Sequence, residues 1–142
     1  DSHLDFDLEL AKQKSSDNPV FYVQYAHARI CNLFYTAVEN QVEVSILEKA
    51  DLSLFGNDEL ELAKKVLSFP EVVEKTAELL EVHRITYYLQ ELSAIFHSYY
   101  KKNRVVTSDM PLTLARLALL YCVRNVLKKG LELMGISAPK KM

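Results

Sequence analysis

The sequence predicts an all-α protein, a helical bundle of about five helices, and three observations lead there. Apolar residues recur at helical spacing over long stretches of the chain. Its 142 residues include only three glycines, which argues against a Gly-rich β protein. Pro19, Pro70 and Pro111 stand where helices would start or stop. A bundle of this kind draws its stability from the packing of amphipathic faces.

The opening segment, Asp1–Leu10, sets Leu4, Phe6, Leu8 and Leu10 against Asp5, Asp7 and Glu9. That period of two fits a short strand, or the tail of a longer segment that precedes it. Ser15-Ser16-Asp17-Asn18-Pro19 then reads as a helix start, with polar capping side chains before a proline near the first helical position. Val20, Val23, Ala26, Ile30, Leu33, Phe34, Ala37 and Val38 carry the helical spacing to about Asn40.

Gln41–Phe55 reads as a long ordered connection with one helical turn, and connections of that length tend to be functional. Asn57 is placed to cap a helix through Phe69, which Pro70 breaks. Glu71 to about Lys102 is helical again, in two segments meeting near His83. Ser108–Pro111 starts a last long helix to about Leu133, Gly135 is placed to end it, and Ile136–Met142 is a tail.

Length and composition narrow the function. A chain of 142 residues makes one domain with a proper core. Uncharged runs such as Leu117–Val123 are too short to span a bilayer. Asp1–Leu10 has neither the basic start nor the apolar centre of a signal peptide. The net charge of −2 speaks against a nucleic-acid binder, but it conceals a polarity. Residues 1–70 carry six basic and twelve acidic side chains, whereas residues 71–142 carry eleven and seven. From residue 100 onward, nine lysines and arginines face only Asp109 and Glu132. Such a local field attracts polyanions, although an ordinary solvated helix face has the same composition.

Several chemistries are missing. There is no Gly-rich phosphate loop, and His3, His27, His83 and His97 fall in no metal-ligand pattern. Cys31 and Cys122 sit among apolar neighbours without CxxC spacing and read as two buried thiols of a reducing cytosol. No catalytic residue is expected within the chain.

One helix face does not read as core. On a wheel of about 100° per residue, Tyr22, Tyr25 and Arg29 fall at about 0°, 300° and 340°, beside an apolar stripe at about 20° to 160°. Two rings and a guanidinium make a platform for stacked bases. Two tyrosines closing the core rim beneath a snorkelling arginine would read the same way. His27 lies inside the apolar stripe and is expected to be a hydrogen-bonded core histidine. Arg116 projects into the apolar arc of the last helix. An unpaired guanidinium there would be strongly destabilising, so a structural role with carboxylate or carbonyl partners is expected.

The run Asn18-Pro19-Val20-Phe21-Tyr22-Val23-Gln24-Tyr25-Ala26-His27-Ala28-Arg29-Ile30 resembles the signature of arginyl-tRNA synthetases where the class I catalytic domain passes into the C-terminal helical domain. The ending Gly130-Leu131-Glu132-Leu133-Met134-Gly135-Ile136-Ser137-Ala138-Pro139-Lys140-Lys141-Met142 resembles the terminus of the same enzymes, and Asp1–Leu10 their bacterial lead-in. The resemblance covers the whole chain.

The resemblance implies a DALR-type anticodon-binding domain at residues 19–142, preceded by a junction, residues 1–18, from a catalytic domain upstream. At the Asp-Ala-Leu-Arg position this chain reads Thr113-Leu114-Ala115-Arg116, with only the arginine in place. The resemblance assigns tRNA contacts to Tyr22, Tyr25, Arg29 and Met142. Some members place an aromatic residue after the penultimate helix, where this chain has Arg104-Val105. The implied partner is the anticodon loop of tRNA-Arg. The shared middle cytosine of arginine anticodons would be the base read. The signatures His-Ile-Gly-His and Lys-Met-Ser-Lys-Ser are absent, so ATP with Mg would serve a catalytic domain outside these residues. The chain itself would hold no cofactor or metal, touch no membrane, and act in the cytoplasm as a monomeric domain. A helical protein–protein interaction module, docking through the tyrosine face and the Gln41–Phe55 loop, is the alternative. So is the equivalent domain of another class I synthetase, such as a cysteinyl or glycyl enzyme.

Overall fold

A computed structural model describes residues 8–15 and 17–142. The described residues form six α-helices and no strand: α1 (Leu8–Lys12), α2 (Pro19–Glu39), α3 (Asn57–Leu67), α4 (Phe69–Leu79), α5 (His83–Lys102) and α6 (Met110–Leu133). Five of these are long enough to build the bundle, as the sequence predicts. Residues 1–7 of the alternating opening segment lie outside the described residues, and so does Ser16. Leu8–Lys12 is a short helix rather than part of a strand.

The helix starts are chemically specified. The Asn18 Oδ1 accepts from the Val20 and Phe21 amides at 3.0 and 3.4 Å, ahead of Pro19 at the first helical position. Asp109 does the same for α6, accepting from the Leu112 amide at 3.1 Å. For α3 the sequence reading is one residue off. Gly56 is the cap and Asn57 the first helical residue, while Glu59 reaches back to accept from the Gly56 amide at 3.1 Å. Pro70 lies in the first turn of α4, where its missing N–H has no helical partner to lose. The α4–α5 break comes at Leu80, held in the left-handed region at φ 56°, and α5 begins at His83.

Helix α6 is the axis of the bundle, packed by α2, α3 and α5. Ile30, Leu89, Leu92, Phe96, Leu120, Val123 and Leu127 are buried where these helices meet. Each such side chain contributes about 1.5–3 kcal/mol of transfer free energy. Gly130 sets the closeness of α5 and α6, since a Cβ there would stand 2.6 Å from a Leu89 methyl. Although its uncharged runs are short, α6 as a whole is long and apolar enough to cross a membrane by length and composition. One face of it, with Leu117, Leu120, Val123, Leu127 and Leu131, is instead buried in the bundle core.

The Gln41–Phe55 connection contains two 3-10 stretches, Val44–Lys49 and Leu52–Leu54, rather than one helical turn. Val42 is buried, and Val44, Leu47 and Phe55 pack against the core, fastening the connection to α6 and α2. Of the two thiols, Cys31 is buried but Cys122 is exposed. Position 122 falls on the outer side of α6, against the apolar context of its sequence neighbours.

Candidate nucleic-acid interface

Helix α2 presents Tyr22, Tyr25 and Arg29 toward the C-terminal half of α5. The Arg29 guanidinium carbon lies 4.5 Å from the centroid of the Tyr100 ring and 5.4 Å from that of Tyr25. Arg29 is thus a planar cation between two aromatic rings, with no hydrogen-bond or carboxylate partner among the described residues. That arrangement holds the side chain in place while leaving its donors unused.

A third element completes the site. Gly135, at φ 72°, turns the chain out of α6, and the Ile136 amide donates to the Leu131 carbonyl at 2.9 Å. The tail then runs back over α2. Gln24 Nε2 donates to the Ser137 carbonyl at 2.8 Å, and His27 Nδ1 to the Pro139 carbonyl at 2.8 Å. A carbonyl can only accept, so the His27 proton sits on Nδ1. Burial holds the His27 imidazole below its ordinary pKa, and the cations Arg124, Lys128 and Lys140 act in the same direction against the Pro139 bond. His27 is therefore a neutral, buried pin for the tail.

The pinned tail encloses a cleft of about 660 Å³ with α2 and α5. Tyr25, Arg29, Tyr35 and Tyr100 line it from the helices, and Lys140, Lys141 and Met142 from the tail. No Asp or Glu side chain is among the lining residues. Three rings, three cations and a thioether can stack a planar heterocycle and attract its phosphate.

Of the residues singled out in the sequence, Tyr25, Arg29 and Met142 come together at this cleft. Tyr22 stands behind it, packed on His97 with ring centroids 5.0 Å apart, and burial raises its phenol pKa. His97 in turn supports Tyr25 at 5.8 Å. Its Nε2 is buried without a hydrogen-bond partner. Burial, with Arg29 and Lys101 nearby, pushes the imidazole down to about 4. The ring behind the platform is therefore uncharged near neutrality.

Arg116 lies at a different place. Its Nε donates to Glu59 Oε1 at 2.9 Å and its Nη1 to the Arg104 carbonyl at 2.7 Å. Tyr99 donates to the same Glu59 oxygen at 3.1 Å. This node ties α3, α5 and α6 together. After α5, Val105 is buried and Arg104 exposed, so neither supplies an aromatic surface.

Sequence reasoning missed Tyr100, His97, Tyr35 and Glu59. The aromatic and basic run Tyr99-Tyr100-Lys101-Lys102 at the end of α5 is the signal for Tyr100. The Gly56-to-Glu59 spacing is the signal for Glu59. Among the described residues, no group of three or more His, Cys, Asp or Glu comes together as a metal site would require.

The chain is similar to known proteins over its whole length. A family model described as "DALR anticodon binding domain" matches residues 23–142. An arginine–tRNA ligase of Citrifermentans bemidjiense is 56% identical over 144 residues, covering 100% of this chain and 26% of the relative. That of Geotalea daltonii is 54% identical over 143 residues, with the same coverage. The chain thus spans about a quarter of the length of the curated relatives it matches. Among solved structures, the Thermus thermophilus arginyl-tRNA synthetase superposes with a TM-score of 0.76 at 33% identity, covering 98% of this chain and 24% of that one. A Campylobacter jejuni structure assigned as an arginyl-tRNA synthetase gives a TM-score of 0.87 at 34% identity, covering 100% of this chain and 30% of that one.

Proposed function

The chain belongs to the DALR anticodon-binding domain family, and from that premise we propose that it reads the anticodon loop of tRNA-Arg through the Tyr25–Arg29–Tyr100 cleft. The observation that carries this reading is a cleft lined by no Asp or Glu side chain, in which a guanidinium with unused donors stands between two tyrosine rings.

The base read is the middle cytosine. Every arginine codon has G in its middle position, so every arginine anticodon has C there while the flanking bases vary. A cytosine turned out of the loop would stack on Tyr25 or Tyr100 and accept at its O2 and N3 from Arg29. Met142 closes the edge of the stack, and Lys140 and Lys141 meet the phosphates. Tyr22 and His97 hold Tyr25 from behind, while Arg116 and His27 keep the helices and tail in register. In this reading, the domain works in the cytoplasm, joined to a class I catalytic domain that uses ATP with Mg to attach arginine. The 142 residues alone are monomeric and carry no aminoacylation activity.

Fluorescence anisotropy with a labelled arginine anticodon stem-loop tests the reading. Changing the middle C to U should weaken binding at least about tenfold, the effect of losing one well-made base contact. Equal binding of the two hairpins would overturn it.

A further inference from the structure

A second groove lies on the other side of the tail, between α2, the Val44–Lys49 stretch and α6, with a volume of about 520 Å³. Its central feature repeats that of the first cleft. The Arg124 guanidinium carbon stands 4.7 Å from the Phe34 centroid and 5.1 Å from that of Tyr121, with the two rings set edge to face at 6.5 Å. Lys128 and Lys140 add charge, and no carboxylate lines the groove. Arg124 and Lys140 have no carboxylate partner among the described residues, and Lys128 is paired only loosely, 3.6 Å from Glu132 at the rim. Tyr121 is 45% exposed and Tyr35 59%, so both side chains can be reached from solvent.

The two grooves adjoin. Tyr35 and Lys140 line both of them. Burial lowers the pKa of His27, and Arg124, Lys128 and Lys140 act in the same direction, as cations near the ring that pins the tail. An occupant must therefore be anionic, partly planar and able to extend from one groove into the next. Single-stranded RNA has all three properties. An acidic peptide has the charge but gains nothing from the paired rings.

We propose that this second groove holds the nucleotide next to the middle base of the same unpaired loop. Its base stacks over Tyr121 and Arg124, and its phosphate lies between Lys128 and Lys140. This rests on the function proposed above and adds a specificity-bearing subsite to it.

A double-mutant cycle tests the proposal. The 142-residue chain and its Tyr121→Ala variant are titrated with the arginine stem-loop and with two hairpins carrying an abasic residue immediately before or after the middle C. Tyr121 is exposed, and a circular dichroism melt checks that the variant stays folded. Tyr121→Ala should weaken the intact hairpin about tenfold and leave one of the two abasic hairpins unaffected. Lys128→Gln should lower the slope of log affinity against log salt by about one. Additive losses at both abasic positions, with C-to-U discrimination intact, would overturn the second subsite while the first reading stands. Failure of the unmodified chain to distinguish C from U would overturn both. Binding of a poly-glutamate peptide that Arg124→Gln abolishes, with hairpin binding unchanged by Tyr121→Ala, would assign the groove to an acidic protein and overturn it.

Discussion

Arg29 and Arg116 are both helical arginines next to tyrosines, and their surroundings are opposite. Arg116 is bonded within the protein through all three of its nitrogens, to the Glu59 carboxylate, the Arg104 carbonyl and, in a longer contact at 3.5 Å, the Asn103 side chain. The side chains of Arg116 and Glu59 are only 14% and 4% exposed. Arg29 has ring faces on two sides and no acceptor among the described residues. A guanidinium held by a buried carboxylate and a carbonyl serves the fold. One fixed by its π-faces keeps its hydrogen-bonding edge for a visitor. The difference lies not in the arginines but in whether a carboxylate faces them across the packed helices.

The sharpest test of this contrast is removal of each arginine. Arg116→Ala leaves the Glu59 carboxylate buried against Tyr99, and breaking such a pair costs about 3–5 kcal/mol. Chemical denaturation should show a loss of that size, with RNA binding per folded molecule retained. A variant that melts normally but binds no RNA would erase the distinction. Arg29→Ala should invert the pattern. Stem-loop affinity should fall about thirtyfold, from the lost charge-assisted contacts, with the melting temperature nearly unchanged.

The histidines separate the regions by pH. His97 titrates at about 4 in the folded chain against an ordinary 6.5, and His27 is also lowered. Between those values the unfolded chain binds more protons, so stability is full above about pH 6.5 and falls as pH drops toward 4. For His97 the loss is about 2 kcal/mol after discounting for partial exposure. Thermal melts of a His97→Phe variant should show a flatter slope across that window. A slope that persists unchanged would place the sensitive groups elsewhere. The smallest expected effect is at the rim, where Tyr25→Ala or deletion of Met142 should each weaken binding about fivefold without a measurable change in unfolding.

The helices were legible because their signals are local. Asn18-Pro19 and Asp109 carry the cap and Gly135 the stop within a few residues, and periodicity does the rest. Half of the cleft was legible for the same reason, since Tyr25 and Arg29 share one face of one helix. Tyr100 and His97 were not, because nothing in α2 specifies which part of α5 crosses it. Glu59 has the composition of a solvated helix face and is buried only because Arg116 and Tyr99 meet it from two other helices. Cys122 fails in the opposite sense, since its apolar neighbours in sequence point inward while it points out.

The crowding of tyrosines around the first cleft also has an optical consequence. The chain has eight tyrosines and no tryptophan, so its near-ultraviolet emission comes from phenol rings alone and is not drained by energy transfer to indole. Three of the eight, Tyr25, Tyr35 and Tyr100, border the same opening. A base stacking there would quench a large share of the total signal, making the unlabelled protein a fluorescent reporter of its own occupancy.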